Sequence, residues 1–228
     1  MSGCLSLLLP ALSKARTKAH TARCHSNLRQ LGVANSLYTP DYNEKFPFTV
    51  RNLWPCERMA FIDVGTLLNP YVPTNGSFYL CPADRGPNNF VLVNLFQPNG
   101  IRTNDLPFPN SYWYWMAFFA KGSNFASLVP QQRSVSAVRY PSQKVIVDCE
   151  ALDPKDPRQS GLIAGAYGTL PQQHGKGRFP TLFVDGRAKI TWYPVEIGGT
   201  AHRTDVLQID PSGPDGWGMG SLGWADVP

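Results

Sequence analysis

One helical periodicity near the N-terminus constrains this chain more than any other feature. Leu5, Leu8, Leu12, Ala15, Ala19 and Ala22 recur at three- and four-residue steps, and Leu28, Leu31, Asn35 and Tyr38 carry the stripe onward. Side chains three and four apart share one face of an α-helix, so the spacing predicts a helix over residues 5–38, about 50 Å long at about 1.5 Å per residue. Ser13, Lys14, Arg16, Lys18 and Arg23 fill most of the intervening positions. A helix of that length exceeds what one globular domain usually needs, so part of it is expected to protrude. Pro10 predicts a kink, because it removes a donor and crowds the preceding turn. Thr39-Pro40-Asp41-Tyr42-Asn43 predicts the stop, since proline biases the residue before it away from helix.

The charge follows the same division. Formal net charge is +5, but residues 1–38 hold Lys14, Arg16, Lys18, Arg23 and Arg29 with no acid. Setting those five aside leaves 16 of the 21 basic residues against 16 acidic ones, so the rest of the chain is formally neutral. A domain-wide footprint for nucleic acid is therefore not expected. The apolar run Leu5–Leu9 is broken by Ser6 and followed by Pro10, far short of the roughly 20 residues a bilayer requires. As written, the chain reads as soluble, and as cut just inside a longer apolar helix.

Beyond residue 38 the chain changes character. With 20 glycines, 21 prolines and 12% aromatics, it predicts a loop-rich domain of short strands over residues 39–228. Residues 61–68 read as a short helix. Ser77–Leu80, Asn88–Leu95, Ser111–Phe119 and Lys144–Cys149 read as strands, the last short, β-branched and buried. Pro180–Val184 and Ala188–Tyr193 flank Asp185-Gly186, a hairpin signal with a two-residue type I′ turn. The expected class is α+β, a long N-terminal helix (residues 1–38) followed by one globular domain (residues 39–228).

Sites are sparse. His174 and Asp185 flank one strand, and such a pair serves as base and orienter or as metal ligands. The plainer reading has His174 bonded within its loop and Asp185 filling its turn. No G-x-S-x-G, H-E-x-x-H or phosphate-binding loop occurs. Five cysteines, Cys4, Cys24, Cys56, Cys81 and Cys149, form no C-x-x-C, so a sulfur-bound zinc is not expected. In an exported chain, one or two disulfides fit, with Cys24, Cys56 and Cys81 as candidates; the pairing stays open. Asp205, Asp210 and Asp215 in the Gly-rich tail are weak calcium candidates, and otherwise no cofactor is expected.

Several segments together resemble a bacterial family. They are Leu8-Leu9-Pro10-Ala11-Leu12-Ser13-Lys14-Ala15-Arg16, Cys24–Gly32 and Tyr38-Thr39-Pro40-Asp41-Tyr42-Asn43, with Cys81-Pro82-Ala83-Asp84, Asn110-Ser111-Tyr112, Tyr140-Pro141-Ser142, and His174 through Asp185-Gly186. They resemble the prepilin-type proteins with an H-X9-DG processing-associated domain, related to type II secretion major pseudopilins. Two departures stand out. Met1-Ser2-Gly3-Cys4 replaces the apolar cleavage segment, and ten residues (175–184) rather than nine separate His174 from Asp185.

The resemblance implies a pilin-like fold, its helix packed on an antiparallel sheet with loop-rich insertions. It implies a structural, non-enzymatic subunit of a pseudopilus or type IV pilus-like assembly, partnered by other pilin-like subunits through Leu5, Leu8, Leu12, Leu28 and Leu31. Inner membrane, periplasm or cell surface is the implied location, the membrane only if an anchoring segment precedes the chain. Two alternatives stand beside it. One is an extracellular glycan- or peptide-binding module displaying Trp113 and Trp115. The other is a metal-assisted hydrolase using His174 and Asp185.

Overall fold

Helix α1 (Gly3–Asp41) runs for 39 residues, about 60 Å at about 1.5 Å per residue. The computed structural model describes residues 3–48, 64–72, 77–84, 110–114, 118, 120–121, 129–138, 141–142, 144–149, 174 and 178–192. Pro10 and Pro40 both lie within α1, so Pro40 does not stop the helix as expected. Termination comes just after, where Asn43 (φ 57°) and Glu44 (φ 55°) turn left-handed. There the Glu44 N–H donates to the Thr39 carbonyl at 2.8 Å, satisfying an end group that would otherwise lack a partner.

The two halves of α1 have different surroundings. Residues 9–19 are exposed, with Leu9 and Leu12 each 68% accessible. From Cys24 onward a stripe of Cys24, Leu28, Leu31, Ala34 and Tyr38 is buried, at the three- and four-residue spacing that keeps one face inward. Leu28 and Leu31 thus spend their apolar surface inside their own domain, at about 1.5–3 kcal/mol per buried side chain. The side chains of Leu5 and Leu8 lie outside the described set.

That face packs on a four-stranded antiparallel sheet built from β1 (Tyr112–Tyr114), β4 (Val145–Cys149), β5 (Arg178–Phe183) and β6 (Ala188–Trp192), in the order β1-β4-β5-β6. A separate pair, β2 (Ala120–Lys121) and β3 (Val129–Pro130), is also antiparallel. All five β4 residues are buried, as its β-branched sequence predicts for a central strand. The class is α+β: one long helix against a small antiparallel sheet. No helix among the described residues is long and apolar enough to cross a membrane.

The β5–β6 hairpin forms where Asp185-Gly186 signals it, but with a different turn. Gly186 (φ 79°) is left-handed while Asp185 is not, and type I′ needs both. The Gly186 N–H reaches the Phe183 carbonyl at 3.0 Å and the Phe183 N–H reaches the Arg187 carbonyl at 2.9 Å, which closes a three-residue loop with a glycine bulge. Helix α1 comes unusually near this turn. A Cβ on Gly32 would lie 2.9 Å from Leu182 Cδ1 and 3.1 Å from the Gly186 carbonyl oxygen.

Residues 64–68 are helical, as expected, and lead into a 3₁₀ turn at Asn69–Tyr71. Ser77–Tyr79, expected as a strand, is a 3₁₀ turn instead. Its Tyr79 hydroxyl donates to the Gly65 carbonyl at 2.7 Å, and the Ser111 N–H donates to the Tyr79 carbonyl at 3.0 Å. These bonds hold the turn between the 64–68 helix and the approach to β1. Asn88–Leu95 lies outside the described residues.

Candidate metal centre

Four side chains from four separate parts of the chain meet at the buried face of α1. Cys24 opens the buried stripe of the helix. Cys81 begins the turn Cys81-Pro82-Ala83-Asp84, in which the Asp84 N–H donates to the Cys81 carbonyl at 2.9 Å. Proline in second place presets the backbone for such a turn. Asn27, one turn beyond Cys24, donates from Nδ2 to the Leu80 carbonyl at 2.9 Å and ties this turn to the helix. Cys149 ends β4, directly across from Tyr112 of β1. His174 supplies the fourth group.

The ligand atoms of Cys24, Cys81, Cys149 and His174 all lie within 4.8 Å of one another. His174 Nε2 is 3.1 Å from Cys81 Sγ and 3.4 Å from Cys149 Sγ. A tetrahedral zinc with Zn–S near 2.3 Å holds its sulfurs about 3.8 Å apart, so a small adjustment of the side chains brings this set onto the ion. The four residues are 0%, 2%, 1% and 7% accessible, so the donors face each other with water excluded.

The partners outside the cluster suit it to a cation. Thr21 Oγ1 is 2.9 Å from the Thr17 carbonyl, to which it donates, and within hydrogen-bond distance of His174 Nδ1 at 3.0 Å. That contact holds the Nδ1 edge of the ring and turns Nε2 toward the sulfurs, the nitrogen that would meet a metal. The Ala83 N–H points at Cys81 Sγ at 3.4 Å, and the Tyr112 hydroxyl at Cys24 Sγ at 3.6 Å. Both donors favour thiolate.

Protonation in the cluster is uneven. Burial pushes the Cys24 and Cys149 thiols well up. Burial acts on Cys81 in the same direction, but hydrogen bonds from Cys149, Cys24 and His174 outweigh it and hold this thiol far below its usual range. One thiolate thus sits among donors, in the place a cation would neutralise.

This cluster overturns several expectations. A site-poor structural pilin-type subunit, not an enzyme and without a cofactor, does not account for four buried convergent donors. The reading as a purely structural, secretion-type subunit fails on the same ground. The absence of C-x-x-C does not exclude zinc, because the fold, not local spacing, assembles the ligands. Calcium gives way as well, since thiolate and imidazole select soft or borderline ions while calcium takes oxygen. Asp205, Asp210 and Asp215 lie outside the described residues.

The His174/Asp185 pairing is not formed. Both His174 ring nitrogens are occupied, by Thr21 and by the sulfurs, while the exposed Asp185 Oδ1 accepts from the Arg187 N–H at 2.9 Å. Gly186 serves the turn. Cys24 and Cys81, candidates for disulfides, carry free thiols, as does Cys149; Cys56 lies outside the described residues. Cys149 is the ligand that sequence reasoning passed over. Its signal was a cysteine ending a short β-branched strand. No protein family, curated protein or solved structure matches the chain.

Proposed function

We propose that this chain is a metal-binding protein that holds one zinc-class ion through Cys24, Cys81, Cys149 and His174. The observation that carries the reading is the convergence of four buried S and N donors within 4.8 Å, with Thr21 against the imidazole's Nδ1. Three thiolates and one imidazole complete a tetrahedral shell for a d¹⁰ ion, and softness favours zinc over magnesium or calcium. The test is metal analysis of the purified chain by mass spectrometry, with cobalt substitution to report coordination. About one equivalent of zinc, and the intense visible bands of tetrahedral thiolate-bound cobalt, are expected. A chain that takes up neither ion, even after reduction and reconstitution, sinks the reading.

A second reading is favoured by one observation: His174 also lines a cleft of about 590 Å³ beside α1. In this reading the ion assists hydrolysis, with His174 as the ligand that yields its position to water, because catalytic zinc keeps one open site. Its distinguishing result is zinc-dependent hydrolysis of model esters or phosphoesters that is lost in Cys149→Ser.

The helix-on-sheet arrangement also supports reading the fold as pilin-like and the chain as akin to the prepilin-type H-X9-DG proteins. An experimental structure in which the second half of α1 leaves the sheet would overturn that kinship.

A further inference from the structure

The cleft beside the metal centre has a chemical character of its own. Lys14, Lys18, Thr21 and His25 follow one another at four-, three- and four-residue steps, so they share one face of α1. Across from them stand Arg178 of β5 and Ile190 of β6, with His174 at the inner end. The volume, about 590 Å³, is within the roughly 300–1,000 Å³ of small-molecule sites.

Three cations line it and, among the described residues, no carboxylate does. Like charges set around one concavity repel, and an anion bound between them relieves that repulsion. The hydroxyls add little selectivity, since Thr17 Oγ1 donates to the Ser13 carbonyl at 3.1 Å and Thr21 Oγ1 to the Thr17 carbonyl at 2.9 Å. Charge recognition therefore falls to Lys14, Lys18 and the planar fork of Arg178, which suits a carboxylate or phosphate head. The rest of the lining is less polar. Ala22 and the half-exposed Ile190 form apolar wall.

We infer that this cleft is a binding site for a small amphipathic anion, whose acidic head sits on Lys14, Lys18 and Arg178 and whose apolar body lies against Ala22 and Ile190. It goes beyond the metal reading, since none of the three cations is a metal ligand, and metal content is assayed in every sample so that the two can fail separately.

The test is calorimetric titration of the full chain with octanoate, octylammonium and inorganic phosphate. Octanoate is expected to saturate at about one per chain, octylammonium to give no saturable binding, and phosphate to bind more weakly than octanoate. The exposed pair Lys14→Ala/Lys18→Ala should raise the octanoate Kd at least about tenfold with an unchanged circular dichroism spectrum. Raising salt on the unmodified chain gives an independent check, and the Kd should rise with ionic strength. Equal binding of octylammonium, a Kd that neither salt nor the double substitution moves, or no saturation by octanoate overturns the proposal. Phosphate binding as tightly as octanoate overturns its apolar half. Binding to phosphatidylglycerol vesicles that octanoate does not compete away assigns the cations to a lipid surface and also overturns it.

Discussion

Thr21 decides which way His174 faces. Its hydroxyl bonds the Thr17 carbonyl and lies 3.0 Å from Nδ1, so the ring presents Nε2 to the cluster. Thr21→Val keeps all four donors and the side-chain shape but removes that hydrogen-bond partner. Metal affinity should fall about 10–100-fold, measured by competition with a chromophoric chelator. Unchanged affinity would show that the ring is oriented by other contacts. The thiols predict a pH dependence whose sign is fixed. Burial raises Cys24 and Cys149, so both hold protons that the ion must displace, whereas Cys81 is already held low. Zinc binding should release protons, and affinity should weaken steadily as pH falls. Titration in weakly buffered solution with an indicator reads the released protons directly; uptake, or none, contradicts the assignment.

At the scale of elements, the interface between α1 and the β5–β6 hairpin is set by a missing side chain. Glycine in a helix interior costs roughly 1 kcal/mol relative to alanine, so Gly32→Ala in open space would stabilise α1. Here the new methyl would sit 3.1 Å from a backbone oxygen and 3.2 Å from a backbone Cα of Gly186, and backbone yields less readily than a side-chain tip. The clash wins, and Gly32→Ala should destabilise by about 1–3 kcal/mol in urea unfolding. A stabilised variant would mean that the helix can lift off the turn without loss. Leu28→Ala, on the same buried stripe and 0% accessible, should cost about 2–5 kcal/mol through the cavity it leaves. A loss below about 1 kcal/mol would show that the stripe is not packed as described.

For the whole molecule, the metal centre is a tie between distant segments. Cys81 and His174 are 93 residues apart, and the four ligands join α1, the turn after Tyr79, the end of β4 and the approach to β5. An ion bound only by the folded state adds about 4 kcal/mol when it is present at a thousandfold excess over Kd. Stripping it with EDTA should therefore lower the calorimetric Tm by several degrees, and zinc should restore it. A Tm indifferent to both would leave the cluster without a structural consequence. The long helix, the central strand β4 and the β5–β6 hairpin were legible in the sequence, because each is written in a local period: three to four residues for Cys24–Tyr38, a β-branched run for Val145–Val147, and apolar runs around Asp185-Gly186. Ser77–Tyr79 was not, since its shape depends on Tyr79 reaching Gly65 and on Ser111 reaching Tyr79. The metal centre was illegible for the same reason. Cys24, Cys81, Cys149 and His174 each stand alone in sequence, and a metal site has no period. By itself the sequence determined which segments could become helix, strand and turn, since those depend on neighbours a few residues away. Only the tertiary structure decided that four isolated donors share one buried point, because that proximity arises when α1 lies across the sheet.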